Sequence, residues 1–376
     1  MRHKPSKPPI QTGRSLPDIK RYSAYDPADT GKAGVEPDAR KKRSVFKRIV
    51  ALFFVIVLAI VIFIGAWDAR NISAASAKLF GDGNFLSLLD SETLNGDENS
   101  RVNVLIVGYS ADDPGHQGAD LTDSISVLSM STSSHSGYIL SIPRDLYVDI
   151  PGFGYGKINQ VYQDGGMQLL EQVIQKTFSV RVGYYALVNY AAVRSIVDAL
   201  GGIDVNINSP EGRLYDPNKD WTTGGPLVDL SNGTHNLNGQ QALNLTRARG
   251  DPSQYGSPIG FGQSDFQRTA DQRLVFMAIK SKLNWKLILD PRKNGRILNA
   301  AADNLKTDVS TAEVRPLFGL FNSIPNSSLR SLSLRDLGGK NYLTDYTTVY
   351  GQSALIPASG ISDYSDIQAA LGSISR

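Results

Sequence analysis

The chain has 376 residues, 41% hydrophobic and 20% charged, and contains no cysteine. That excludes disulfide frameworks and thiolate zinc sites, so a domain of this size must draw its stability from its own core. The net charge of +3 is unevenly divided: residues 1–48 hold 13 Lys and Arg against 5 Asp and Glu, and the rest is mildly acidic, 26 against 31. A DNA-binding regulator is disfavoured, because the basic excess is confined to a short tail without a recognisable DNA-binding motif.

In chain order, residues 1–48 read as a disordered basic cytoplasmic tail, Pro-rich at its start and attracted to anionic lipid headgroups. From Ile49 to Trp67 no residue is charged. At about 1.5 Å per residue this run is long enough to cross a hydrocarbon core of roughly 30 Å, which predicts one transmembrane helix over 49–67. A cleaved signal peptide would have a short charged region, whereas 48 mostly polar residues precede this run. Arg40, Lys41, Lys42, Arg43, Lys47 and Arg48 stand on its N-terminal side, with Asp68 and Arg70 beyond it. The positive-inside rule then makes the protein single-pass in the cell membrane, N-terminus cytoplasmic and C-terminal domain extracytoplasmic.

Residues 68–100 read as a stalk and linker, and 101–376 as the extracytoplasmic domain. Its first strands are RVNVLIVGYS, SISVLSM and GYILSI. GGMQLLEQVIQKTF is a predicted helix, followed by YYALVNY as a strand, AAVRSIVDAL as a helix and GGIDVNI as a strand. Strands alternating with helices at this spacing argue for an α/β layered domain. Asn208 to Asn238 is polar and Gly-rich and reads as a long surface excursion. SDFQRTADQRLVFMAIKSKL, STAEVRPLFGLFNSI and SDIQAALGSI complete the pattern as helices.

Three polar groupings stand out. LNGQQALNLTRAR reads as a strand whose one face carries Leu243, Leu245, Arg247 and Arg249. Two guanidiniums on one face repel unless an anion lies between them, and Arg suits bidentate phosphate contact; two solvated arginines at a strand end would give the same pattern. On the helix from Ser264, Asp265, Arg268 and Gln272 share a stripe at i, i+3 and i+7, which is also what a solvated face would show. In SIPRDLYVDIPG, Pro143 stops a strand and presents Arg144 and Asp145 at its C-terminal edge, where α/β sheets bind ligands; Lys157 follows a Gly-rich loop. Asp123 stands just before a strand and could hold a divalent cation through oxygen.

The ordered string VLIVGYS, TDSISVL, LSIPRDLYVDIPG, KIN, a GG-led helix, VDALGGIDV, LNGQQALNLTRAR and DFQRTADQ resembles the LytR-CpsA-Psr family, over a motif core of 101–285. The resemblance implies an α/β/α layered domain with a central mixed β-sheet, preceded by one transmembrane helix. It implies transfer of a phosphate-linked glycopolymer from a polyprenyl-pyrophosphate carrier to a peptidoglycan hydroxyl, assisted by Mg²⁺ or Mn²⁺, with the lipid tail in an apolar cleft. The implied partners are that donor, peptidoglycan and membrane lipids, with no nucleic acid. By matching motif, the pyrophosphate ligands would be Arg144, Lys157, Arg247, Arg249, Arg268 and Gln272. Asp123 and Asp265 would serve the metal, with Asp112 a further ligand, and Asp123, Arg144, Asp145 and Asp265 would carry the chemistry. Two positions depart from the family pattern. Ser110 stands where Asp is frequent, with Asp112 and Asp113 just beyond, and Asp271 stands where Arg commonly precedes Gln272; on an ideal helix Asp271 points away from the Asp265–Gln272 stripe. The same cations would serve a pyrophosphatase releasing glycan phosphate to water, or an idle glycolipid-binding scaffold.

Overall fold

The first three strands pair as a meander in the middle of a six-stranded sheet. They are β1 (Arg101–Tyr109), β2 (Thr122–Ser131) and β3 (Gly137–Ile142). β1 and β2 run antiparallel with Val107 opposite Ile125, and β2 and β3 do so with Val127 opposite Leu140. This computed structural model describes residues 77, 92–97, 99–109, 121–220, 222–248, 258–260, 264–283 and 304–375, without the side chains of 264–270. The tail 1–48, the apolar run 49–67 and most of the stalk lie outside them; among the described residues no helix is long and apolar enough to cross a membrane.

β6 (Tyr184–Val188) joins β1 in parallel, β11 (Leu305–Thr307) closes that edge antiparallel to β6, and β12 (Leu329–Ser333) adds in parallel to β3. The order is β11-β6-β1-β2-β3-β12, so the sheet is mixed. Its strands bury both faces, which is why they read as near-continuous apolar runs. On one face Leu105, Val107, Ile125, Val127 and Leu140 pack with Leu170, Val173 and Ile174 of α1 (Val161–Phe178), and with Ile367 and Leu371 of α6 (Ser365–Ser375). On the other, Val104, Leu128, Met130 and Ile139 meet Phe276 and Met277 of α4 (Ser264–Lys282) and Leu317 and Phe321 of α5 (Thr311–Ser323). The result is helix, sheet and helix in three layers.

α1 opens one turn earlier than its sequence pattern and kinks at Gly165 and Gly166, the latter at φ 68°, a conformation open to glycine at no steric cost. α2 (Tyr190–Ala199) is capped by Asn189, whose side chain accepts from Ala192 N at 2.8 Å. Beyond it β7 (Ile203–Ile207), β8 (Arg213–Lys219), β9 (Pro226–Ser231) and β10 (Gly233–Leu237) form two ribbons, β7 with β10 and β8 with β9. The expected surface excursion at 208–238 therefore holds three strands. It read as a loop because such ribbons bury few side chains, here Leu214, Val228 and Leu237 among the apolar ones.

A second correction concerns LNGQQALNLTRAR, which forms the helix α3 (Gly239–Arg247) rather than a strand. Asn238 and Gln241 make a reciprocal capping box, Gln241 N donating to Asn238 Oδ1 at 2.9 Å and Asn238 N to Gln241 Oε1 at 3.0 Å. Arg247 thus ends a helix, sharing a face with Leu243 one turn back, and the row 243, 245, 247 and 249 does not exist.

The C-terminal segment is part of the same layers. Beyond β12, the hairpin of β13 (Leu343–Thr347) and β14 (Ser353–Pro357) returns to the β3 side, where Leu355 N donates to Asp145 O at 2.9 Å. β1 and α6 also meet, Arg101 Nη1 donating to Ser375 O at 3.5 Å.

Candidate functional site

β6, β1, β3 and β12 all run in one direction, with β2 antiparallel between β1 and β3. The carboxyl ends of β1, β3 and β6 therefore share one sheet edge, the position at which open α/β sheets take ligands. The polar residues singled out above gather there. Asp123 is the second residue of β2, beside the end of β1, so the strand begins one residue before it rather than after it. Pro143 has no N–H to continue the ladder, and β3 stops at Ile142. The turn that follows is closed by Leu146 N donating to Pro143 O at 3.1 Å, and it presents Arg144 and Asp145. Lys157 ends β5 (Gly154–Lys157), which forms a hairpin with β4 (Tyr147–Ile150).

These four side chains form a row of alternating charge. Arg144 Nη1 donates to Asp123 Oδ1 at 2.7 Å, and its Nε lies 3.6 Å from Asp145 Oδ2. Lys157 Nζ donates to Asp145 Oδ1 at 2.8 Å. All are partly buried, Asp123 most of all with 10% of its side chain exposed. Burial to this degree strengthens the pairing and holds the cations in fixed directions, unlike ion pairs on an open surface.

Arg247 belongs to the same edge through a different route. Its guanidinium lies 4.9 Å from the ring centre of Tyr190, the first residue of the helix that follows β6. Gln272, on α4, connects the two halves: Ser124 Oγ donates to its Oε1 at 2.8 Å, and its Nε2 donates to Thr246 O at 3.3 Å. One amide therefore ties the neighbour of Asp123 to the neighbour of Arg247. Ser124, Thr246 and Tyr190 were not anticipated from the sequence; only the hydroxyl of Ser124 beside Asp123 gave a signal.

The expected stripe lies on the helix α4, with Arg268 one turn and Asp265 two turns before Gln272 along the backbone. Arg249, Asp112, Asp113 and Ser110 lie outside the described residues. Asp271 is fully buried, and its negative charge opposes the downward shift that burial imposes on the Arg273 guanidinium two residues on. Arg273 itself donates to Ser141 Oγ in β3 at 3.2 Å, so this cation ties the helix to the sheet.

Carboxylate oxygens are the hard donors that Mg²⁺ takes, normally one or two of them with phosphate and water oxygens completing the shell. Asp123 offers that chemistry, whereas both Asp145 oxygens face Arg144 and Lys157; among the described residues no group of three His, Cys, Asp or Glu could enclose a metal by itself. The arrangement thus suits a cation shared with a phosphate-bearing ligand.

Truncating the bridge tests how far the two halves depend on each other. Gln272→Ala removes two hydrogen bonds and should cost about 1–2 kcal/mol of stability. If Arg247 is held in place through this tie, the initial rate of turnover should also fall by roughly ten- to a hundredfold. Thermal unfolding and initial rates measured on one preparation separate the effects; an unchanged rate would mean that Arg247 is positioned independently of this tie.

Comparisons with known proteins place the fold and the sequence among relatives. TagU of Enterococcus faecalis, a polyisoprenyl-teichoic acid–peptidoglycan teichoic acid transferase, is 30% identical over 287 residues, 74% of this chain and 83% of TagU. The structure of TagT bound to LIIa-WTA matches with a TM-score of 0.54 at 25% identity, over 75% of this chain and 95% of TagT. TagT with bound octaprenyl pyrophosphate lipid shares the fold at a TM-score of 0.52 and 24% identity, over 75% of this chain and 94% of that one. The LytR_cpsA_psr family model matches residues 74–356, and with that span matched the chain belongs to the LytR_cpsA_psr family.

Proposed function

We propose that the protein transfers a phosphate-linked glycopolymer from a polyprenyl-pyrophosphate carrier to a hydroxyl of peptidoglycan. The observation that carries this reading is the fixed row Asp123–Arg144–Asp145–Lys157, tied through Gln272 to Arg247 at the carboxyl edge of the sheet. The resemblance to a polyisoprenyl-linked teichoic acid transferase supplies the substrate class.

The chemistry follows from charge. A pyrophosphate diester carries two negative charges, and more charge collects on the leaving phosphate as its bond lengthens, so cations already fixed in direction lower the barrier. The acceptor oxygen attacks the glycan-linked phosphorus, the bond from that phosphorus to the bridging oxygen breaks, and the polyprenyl phosphate leaves with the electron pair. Arg144, Lys157 and Arg247 bind the pyrophosphate, with Arg249 and Arg268 completing the set. Both Asp145 oxygens already face cations, so its role is to hold Arg144 and Lys157, and the hydroxyl proton goes to Asp265. Gln272 braces the halves. Asp123 would hold Mg²⁺ or Mn²⁺, which supplies further neutralisation of phosphate charge when bound, and Asp265 is then left for the proton.

Residues 101–376 would act outside the cytoplasm, anchored by one helix at 49–67 with the basic tail 1–48 inside. Fixing the domain beside the bilayer makes its encounter with a lipid-borne donor a local event.

The test is single turnover by the full chain in lipid nanodiscs, with a polyprenyl-pyrophosphoryl oligosaccharide, Mg²⁺ and a peptidoglycan fragment. A phosphodiester-linked product is expected. Free glycan phosphate alone would make the protein a hydrolase, and donor binding without turnover would make it a glycolipid-binding scaffold.

A further inference from the structure

The hairpin that carries Lys157 continues away from the site as an aromatic surface. In β4 and β5, Tyr147 stands opposite Lys157 and Asp149 opposite Tyr155, so these four project from one face of the ribbon. The other face sends Val148 and Ile150 into the main core. Tyr147 and Tyr155 are stacked, 5.9 Å between ring centres and 21° between planes, and Tyr346 of β13 lies 5.6 Å from Tyr147 on the other side. Tyr350, in the β13–β14 turn, is near enough to act on the Tyr147 hydroxyl electrostatically, as Tyr346 and Tyr155 also do. Three rings thus form a row, with a fourth close by, on a small sheet whose β4 strand opens directly after Asp145.

Nothing in the transfer chemistry uses these rings, yet the surface is unusually open. Tyr155 is 52% exposed and Tyr350 85% exposed, with Phe153 and Val349 also exposed at the two turns. A contiguous exposed aromatic surface marks a binding face. Its composition selects the class of partner. Every ring in the row carries a hydroxyl, and two ion pairs flank it, Asp149 with Lys176 at 2.6 Å and Asp345 with Arg335 at 2.8 Å. These pairs balance charge for charge, whereas an anionic headgroup layer calls for an excess of Lys and Arg. A sugar strand fits both features: its C–H faces meet the negative faces of the rings, and its hydroxyls and amides meet tyrosine hydroxyls and carboxylates. Continuity with the site fixes where such a strand leads. Tyr155 is two residues from Lys157, about 7 Å along the ribbon.

We propose that Tyr155, Tyr147 and Tyr346, with Tyr350, form a stacking platform for the glycan strand of the acceptor, which they lay toward Arg144 and Lys157. The acceptor's identity rests on the transfer reading above; the platform itself does not. The donor's charged end is then gripped at the sheet edge while the acceptor is held farther along the hairpins, and the two substrates meet at Lys157.

The full chain in detergent micelles is cosedimented with purified insoluble peptidoglycan sacculi, without donor, and compared with the double variant Tyr155→Ala, Tyr350→Ala and with Tyr155→Trp. The double variant should bind sacculi at least tenfold more weakly, Tyr155→Trp should bind like the wild type, and all should bind donor lipid within twofold. In transfer, the double variant should raise the KM for acceptor and leave kcat unchanged, a split that simple misfolding would not produce. Unchanged sacculus binding by the double variant would overturn the proposal, as would loss of binding to anionic lipid vesicles with sacculus binding intact. Because sacculus binding is read without donor, a wild type that binds sacculi but transfers nothing would refute the transfer reading and leave the platform standing.

Discussion

Arg144→Ala should reduce the rate of transfer by about a hundred- to a thousandfold, the range seen when one fixed donor to a developing charge is removed. The loss has two parts. One cation facing the pyrophosphate disappears, and Asp123 and Asp145, which both face this guanidinium, are left without it and present net negative charge to an anionic substrate. The second part predicts weaker donor binding as well as slower chemistry. Arg144→Lys separates them: the charge returns, but a compact ammonium cannot address Asp123 and Asp145 at once as a planar fork can, so recovery should stop roughly tenfold short of wild type. Donor affinity by calorimetry and single-turnover rates on the three proteins give the answer. If Arg144→Ala turned over at the wild-type rate, the row at the end of β3 would be structural only.

Gly239→Ala should cost about 2–3 kcal/mol of stability through overpacking. A Cβ on Gly239 would sit 2.2 Å from the carbonyl oxygen of Arg194 and 2.8 Å from its Cα, both backbone atoms of α2 that have nowhere to go. The start of α3 is held against α2 at this point, Gly239 N donating to Asp198 Oδ1 at 2.7 Å, so the helices must part. Tyr190 begins one of them and Arg247 ends the other, so parting them should also disturb their 4.9 Å contact and lower turnover. Gly319→Ala in α5 is the matched control: its Cβ would meet nothing within 4 Å, and the change should stabilise by about 0.4–1 kcal/mol by restricting the unfolded chain. Thermal unfolding of both variants checks the pair, and a Gly239→Ala protein as stable as wild type would show that α2 and α3 slide freely.

The elements that the sequence made legible were those with burial on both faces or a strong stop. VLIVGY and GYILSI have no polar alternation to confuse the period, and Pro143 cannot extend a ladder, so the sheet centre and the position of Arg144 and Asp145 could be read directly. α3 was misread because Leu243 and Leu245 alternate over a short stretch, while the Asn238–Gln241 box, which decides the matter, lies just upstream of it. The ribbons at 208–238 were missed for a different reason, since exposed two-stranded pairs leave almost no apolar trace. Within the site, the charged residues could be named from their types, but the tie through Gln272 could not. It joins residues 148 and 26 positions apart, and no local pattern announces contacts of that range.

The pairing of β3 with β12 sets an order in time as well as in space. The partner that covers β3 lies at Leu329–Ser333, almost 190 residues after β3 ends, and the last helix packs beneath the same sheet. A chain emerging N-terminus first therefore carries β3 as an open, apolar edge until Leu329–Ser333 has been synthesised, and unpaired edges of that kind recruit other chains. Assembly dominated by such distant contacts is slow. A chain halted before residue 333 would be prone to aggregate rather than merely inactive, so for this topology the pairing of β12 acts as a closing step of folding.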